Sequence, residues 1–326
     1  MQFCPSVYEH AARFVRRTPW DVSRDGALLA QGHIGAFRLY RHRPVVVGID
    51  IYNLEAEAYG ATVRRASGEG IPAITKPFCT RVEDLLELEP FDPGSAGRIA
   101  MTLEAAQAVA RACPEADVRV PVAGPFSVGA NLAGLEGLVS AVADRPDLVK
   151  AVLRHLVDGQ IHFCRAVHES GLGIAFFESA AAPPLLSPRQ FREIELPALQ
   201  AMLPQVAAIT GAPASFIMGG DTSLIVDAML ETGSGYLCCP AESDQQTFMR
   251  KMKPHPEVAV RINMDPRSMV AGDTESIQNE VDRVLQLAQN RAHVCIGTGV
   301  LPYEVEPDVV LWTRELISSR TAGWNS

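Results

Sequence analysis

Seven short, mostly apolar runs punctuate the chain: RPVVVGI (43–49), VRVPVAG (118–124), GIAFFES (173–179), PASFIMG (213–219), GYLCCP (235–240), VAVRIN (258–263) and AHVCIGTG (292–299). Near-continuous apolar runs of this length are what strands buried on both faces require. An eighth run is expected near IPAIT (71–75). Longer segments with apolar residues at three- and four-residue spacing lie between them and predict helices. AGRIAMTLEAAQAVARAC is one, and RPDLVKAVLRHLVDGQIHFCRAVHESG ends on a glycine, a usual helix stop. SPRQFREIELPALQAMLPQVAAITG opens with a Ser-Pro cap and first-turn pair. DTESIQNEVDRVLQLAQ places Glu in its first turn, where the helix dipole favours it.

Repeated strand–helix units build a parallel sheet. The strand number predicts an α/β fold closed as a (β/α)8 TIM barrel, one domain over 1–326 with an N-terminal helical extension at 1–40. Chemistry in such barrels gathers at the C-terminal strand ends. That rule nominates Asp50, Phe126 in the Gly124-Pro125-Phe126 turn, Glu178, Ser179, Asp221, the Cys238-Cys239 pair, Asn263, Asp265 and Thr298.

Composition narrows the function. The 326 residues carry a net charge of −9 with basic residues scattered, which argues against nucleic acid as a partner. No run of about 18 apolar residues predicts a membrane span. The N-terminal MQFCPSVYEHAARFVRR lacks the charged start and apolar stretch of a signal peptide, so a cytoplasmic location is expected. Seven cysteines, an odd number without a repeated CxxC, suggest reduced thiols.

Each candidate has a structural alternative. Asp50 is a catalytic acid or the N-cap of the helix IYNLEAEAYG. Glu178, after the apolar IAFF, must be paired or face an open cavity, because a lone buried charge is costly; its alternative is an ion pair with Arg261. Cys239, nearer the strand end than Cys238, is the inward-facing candidate, with Cys295 approaching from a distant strand; the alternative is a buried thiol acting as a small hydrophobe. Asp265 precedes Pro266 and also suits a turn. FIMGGDTS (216–223) is not a phosphate loop, since GxGxxG is absent and no Lys follows the glycines. Asp221 there is expected to cap a helix starting at Thr222.

Five stretches taken together resemble the uroporphyrinogen decarboxylase family, which includes corrinoid-linked methyltransferases. They are GIDIYNLEAEAYGATV, VAGPFSVGANLAGLEGL, FFESAAAPPLLSPRQFREIELPALQAM, INMDPRSMVAGDTESIQNEV and GTGVLPYEVEPDVV, in order over roughly 44–318. The resemblance places the family aspartate on Asp50 and the family serine on Ser179. Asn131 stands near the position of a family tyrosine, and Thr298 replaces the histidine of a final GHG. The arginine segment that meets the acidic arms of uroporphyrinogen is absent. The methyltransferase branch places His-x-Cys on Ile217 and Gly219 and a later Cys near Thr298, so its zinc ligands are missing and no zinc is expected. An apolar pocket wall at Met218 is expected instead.

The resemblance thus implies a methyltransferase moving a methyl group between a small methylated compound and a corrinoid (cobalamin) or tetrahydrofolate carrier. In that reading Asp50, Glu178 and Ser179 are catalytic, and Phe126, Asn131, Met218, Asp221, Cys239, Asn263, Asp265 and Thr298 line the substrate site. The alternatives are a cofactor-free decarboxylase and a non-catalytic tetrapyrrole-binding protein. Expected partners are a small-molecule substrate, a corrinoid carrier protein and a second copy of the chain in a homodimer.

Overall fold

The computed structural model describes residues 1–324. Eight strands form one sheet in the order β1 (Phe3–Ser6), β10 (Val294–Val300), β9 (Ala259–Met264), β8 (Tyr236–Cys239), β7 (Ser215–Ile217), β6 (Gly173–Phe177), β5 (Val118–Ala123), β2 (Val45–Val46). Every neighbouring pair is parallel. The order follows the chain and returns to its start beside its end, which is the nearly closed cylinder of a (β/α)8 barrel.

The seven predicted runs all carry a barrel strand, but the strand in the eighth lies outside the barrel. Ala73–Ile74 (β4) pairs antiparallel with Val63–Arg64 (β3) in a separate two-stranded ribbon. The barrel strand is β1, inside the segment expected to be a helical extension. All four β1 residues are buried, whereas β4 is partly exposed. Only after β1 does that segment become helical, with a 3-10 turn at Glu9–Val15 and helices Pro19–Ser23 and Gly26–Tyr40.

The predicted helices form at Ile99–Ala112, Pro146–Glu169, Leu196–Thr210 and Thr274–Ala288. Ser187 caps its helix through a reciprocal pair with Gln190. The next segment, Phe191–Glu195, is one turn of π-helix before the α-helix resumes.

Alternating strand side chains divide the core in two. Phe177, Ile217 and Cys238 point into the barrel with Tyr8, Val46, Ile51 and Ala175. Their neighbours Phe176, Phe216 and Cys239 point outward into the larger layer between sheet and helices. Among the described residues no single helix is long and apolar enough to cross a membrane.

Candidate active site

At the C-terminal end of the barrel lies a cavity of about 200 Å³. Its walls are Ile49, Asp50, Ile51, Tyr52 and Asn53 after β2, Tyr8 and Glu9 after β1, Val300 at the end of β10, and Ile71 and Pro72 from the β3–β4 ribbon. The misplaced eighth strand therefore belongs to a cover over the mouth.

Asp50 lines this cavity but its charge is already matched. Arg98 donates from Nη1 and Nη2 to its two oxygens at 2.9 and 2.7 Å, and Asn53 Nδ2 donates at 3.0 Å. Arg98 also meets Glu57 at 2.5 Å and the Ser23 carbonyl at 2.9 Å. Asp50 is not the N-cap of the following helix; that position is Asn53, without a side-chain cap.

Glu9 is different. Its side chain is buried at the same cavity, and Oε2 has no hydrogen-bond partner. Burial, with a smaller push from Glu304, raises its carboxyl to about 8, so it is protonated at neutral pH. The sequence carried a signal for it, because Glu9 follows the apolar FCPSVY as Glu178 follows IAFF.

Ser179 joins two strand ends across the mouth. Its Oγ accepts from the Gly219 amide at 2.9 Å and lies 2.5 Å from the Tyr52 hydroxyl. Asn131 Nδ2 holds the Tyr52 carbonyl at 2.6 Å. Tyr52 packs edge-on to Phe177, which packs edge-on to Tyr8. Burial drives the Tyr52 phenol upward, so it stays protonated and can donate.

Glu178 turns the other way. It is fully buried on the outer face of the barrel, at the N-terminus of the helix Pro125–Ala133. The amides of Phe126 and Ser127 donate to it at 3.0 Å, and the Ser127 hydroxyl adds a short bond. A carboxylate is favoured at a helix N-terminus. Its other neighbour is Glu195 on the π-turn. Burial raises Glu178 to about 7, and burial with the neighbouring Glu178 charge raises Glu195 well above the ordinary range; neither Glu195 oxygen has a hydrogen-bond partner. The structure brings Glu178 neither to the cavity nor to Arg261, which lies inside the barrel.

The remaining candidates scatter. Phe126, Met218 and Cys239 sit in the outer core. This reverses the inward orientation expected of Cys239: Cys238 is the inward thiol. Asp221 accepts from the Ser223 amide at 3.1 Å in a turn, and the next helix starts only at Val226, so it caps none. Asn263 lies inside the barrel, donating to Cys238 Sγ at 3.2 Å. Asp265 caps the helix Pro266–Ala271 and pairs with Arg267. Thr298 ties β10 to β1, its Oγ1 accepting the Ser6 amide at 3.0 Å. Of the sequence candidates, the structure gathers Asp50 and, through Tyr52, Ser179 and Asn131.

A family model described as uroporphyrinogen decarboxylase (URO-D) matches residues 2–318. The chain belongs to the URO-D family. A methyltransferase from Methanosarcina mazei is similar in structure, with a TM-score of 0.80 at 18% identity, covering 100% of this chain and 94% of that one. At that identity the likeness is one of fold. No curated protein matches the sequence.

Zinc is a cofactor that the methyltransferase branch of this fold implies, and the residues present do not fit it. Ile217 points inward at the β7 end and Gly219 follows it; neither can donate a ligand. Among the described residues no group of three or more His, Cys, Asp or Glu is placed to hold a metal ion.

Proposed function

We propose that this URO-D family chain is an enzyme that moves a methyl group between a small methylated compound and a corrinoid or folate carrier. The observation that carries this reading is the mouth cavity. At about 200 Å³ it falls below the roughly 300–1,000 Å³ typical of drug-sized ligand sites. Its walls are largely isoleucine, valine and tyrosine, and no Lys or Arg is among them. A small, weakly polar compound suits it better than a polycarboxylate. Decarboxylation of a uroporphyrinogen-type substrate would need cations facing the acidic arms, and Arg98 is already engaged by Asp50 and Glu57.

Removing a methyl group leaves an electron pair on the departing heteroatom. Glu9, protonated and without a partner at Oε2, can supply the proton from the cavity wall. Tyr52, fixed by Ser179 and Asn131, offers a second hydroxyl to orient the substrate. Holding donor and acceptor in line supplies the remaining advantage. A corrinoid or folate carrier, when bound, supplies the centre that gives or takes the methyl group. The exposed Ile71 of the β3–β4 ribbon, Leu224 after β7 and Val300 at the end of β10 offer apolar contacts to the ring of a bound carrier.

The test is the absorbance of methylcobalamin and, separately, the fate of methyltetrahydrofolate, mixed with the protein and a panel of methylated amines, thiols and methoxy compounds. Methyl turnover with one class supports the reading. Carbon dioxide release from a carboxylate substrate, with no methyl transfer, would favour the decarboxylase.

A further inference from the structure

Barrel interiors are normally filled by layers of bulky, branched side chains. The floor of this one is not. Alternation places Gly173 and Ala175 of β6, Ser215 of β7 and Ala259 of β9 on the inward face at the start of their strands. All four are small, and a cavity of about 370 Å³ opens at this level. Its inner wall is Ala175, Ser215, Ile217 and Tyr236, and its rim is Pro44, Pro213, Gly235 and Glu257, each just before a strand. The cavity therefore opens on the N-terminal face, at the opposite end of the barrel from the mouth. Unlike the mouth cavity, it falls within the roughly 300–1,000 Å³ of drug-sized ligand sites.

Two polar groups at this cavity are left without partners. Ser215 is buried beside Tyr236 of the next strand, and its Oγ has no hydrogen-bond partner. Arg119, inward on β5, lies across Gly173, where a Cβ would come within 2.9 Å of its Cγ. The exposed Asp117 takes its Nε at 3.0 and 3.1 Å and its Nη2 at 2.8 Å. Nη1 has no partner among the described residues. Arg119 and Ser215 also line a smaller cavity of about 180 Å³ beside the first, so both side chains border the same space.

The charge above the floor is positive. Arg261 on β9 is buried one inward layer above Tyr236, with Cys238 Sγ as its hydrogen-bond acceptor and no ion-pair partner among the described residues. Its field acts through an interior of low dielectric, where a charge reaches further than in water.

We propose that this floor cavity is a second binding site, taking a monocarboxylate with a compact apolar body. The carboxylate accepts an N–H from Arg119 Nη1 and the O–H of Ser215, which satisfies both. The body packs on Ala175, Ile217 and the Tyr236 ring. The rim carboxylates Glu257 and Asp117 stand against a second negative group, which selects against dicarboxylates and phosphate dianions. The site lies apart from the mouth and does not depend on the reaction assigned there.

The test follows the fluorine resonance of 4-fluorobenzoate on titration with the full-length protein at neutral pH. The comparison probes are 4-fluorobenzyl alcohol, which lacks the charge, and 4-fluorophthalate, which carries a second one. The benzoate should bind, and each comparison probe should bind at least tenfold more weakly. Ser215→Ala should weaken benzoate binding about tenfold, as loss of a hydrogen bond to a charged group does. Arg119→Met should weaken it at least tenfold, and Ile71→Ser at the mouth should leave it unchanged. S215A is nearly isosteric and removes a hydroxyl that has no protein partner, so it should fold normally by circular dichroism. Should R119M misfold, Arg119→Lys keeps the charge without the fork and should weaken binding severalfold. No binding of the benzoate overturns the site, as does undiminished binding in S215A and the Arg119 variant. Binding lost in I71S but kept in S215A moves the ligand to the mouth and overturns the floor site. Equal binding of the alcohol or the phthalate overturns the monocarboxylate assignment.

Discussion

Arg98 grips Asp50 with two guanidinium nitrogens, at 2.9 and 2.7 Å, and both side chains are nearly excluded from water. Asp50 is thus held at the cavity wall by partners on both of its oxygens. Breaking one side of such a pair typically costs about 3–5 kcal/mol, because it leaves an unmatched charge. Asp50→Asn is expected to fall in that range by urea denaturation, with Arg98→Met similar. The double variant should recover much of the loss, and a double loss equal to the sum would deny the coupling.

Glu178 and Glu195 make a second prediction, about pH. Both folded-state values are raised above the ordinary carboxyl range. A raised acid binds its proton more strongly folded than unfolded, so its contribution is fully present below the unfolded value of about 4.3. It is lost as pH rises through about 7. Stability should therefore decline between these limits. Glu195→Gln removes the second charge beside Glu178. It should flatten the slope and stabilise the protein at about pH 8 by on the order of 1–3 kcal/mol, since each unit is worth about 1.4. Thermal melts across pH settle it; an unchanged slope in E195Q rejects the coupling of the two carboxyls.

Much of the barrel was legible in the sequence because parallel strands write themselves as apolar runs. The missed strand shows the limit of that signal. Phe-Cys-Pro-Ser carries no Val or Ile, and its burial comes from β10 beside it, where Phe3 pairs with Ile296 at the far end of the chain. IPAIT has the better strand composition but lies at the surface over the mouth. For Glu178 and Cys239 the strand-end rule misses parity rather than position. On β6, Gly173, Ala175 and Phe177 share one face with Ser179, so Glu178 must face the helices. Likewise Cys238, level with Arg261 on β9, faces inward and Cys239 outward. A strand-end rule selects both residues of such pairs; only alternation anchored on a known inward residue separates them. Glu9 escapes the sequence for the same reason as β1: its segment reads as helix and offers no strand end.

The hydroxyl bridge at the mouth gives a third prediction. Ser179→Ala removes the acceptor for the Gly219 amide and the partner of Tyr52. Leaving polar groups unmatched costs about 1–3 kcal/mol when they are buried, and these half-buried ones fall toward the lower end. Tyr52→Phe removes one partner only and should cost about 0.5–1.5 kcal/mol. The order S179A above Y52F in chemical denaturation is the check, and the reverse order would mean Ser179 is not the shared acceptor.

Glu9 carries the prediction that bears on catalysis. It acts in the proposed reaction as a protonated acid, so turnover should be level at neutral pH and fall as pH rises through about 8. Positioned proton transfer typically contributes about 10²–10⁴-fold. Glu9→Gln should lower kcat by that order and abolish the alkaline limb, while substrate KM changes little. The glutamine is nearly isosteric and removes a carboxyl that burial already holds neutral, so stability at neutral pH should change little. Asp50→Asn should weaken folding yet leave the alkaline limb where it was. If the limb persists in E9Q, the proton comes from elsewhere, and the cavity's second hydroxyl, Tyr52, becomes the group to replace.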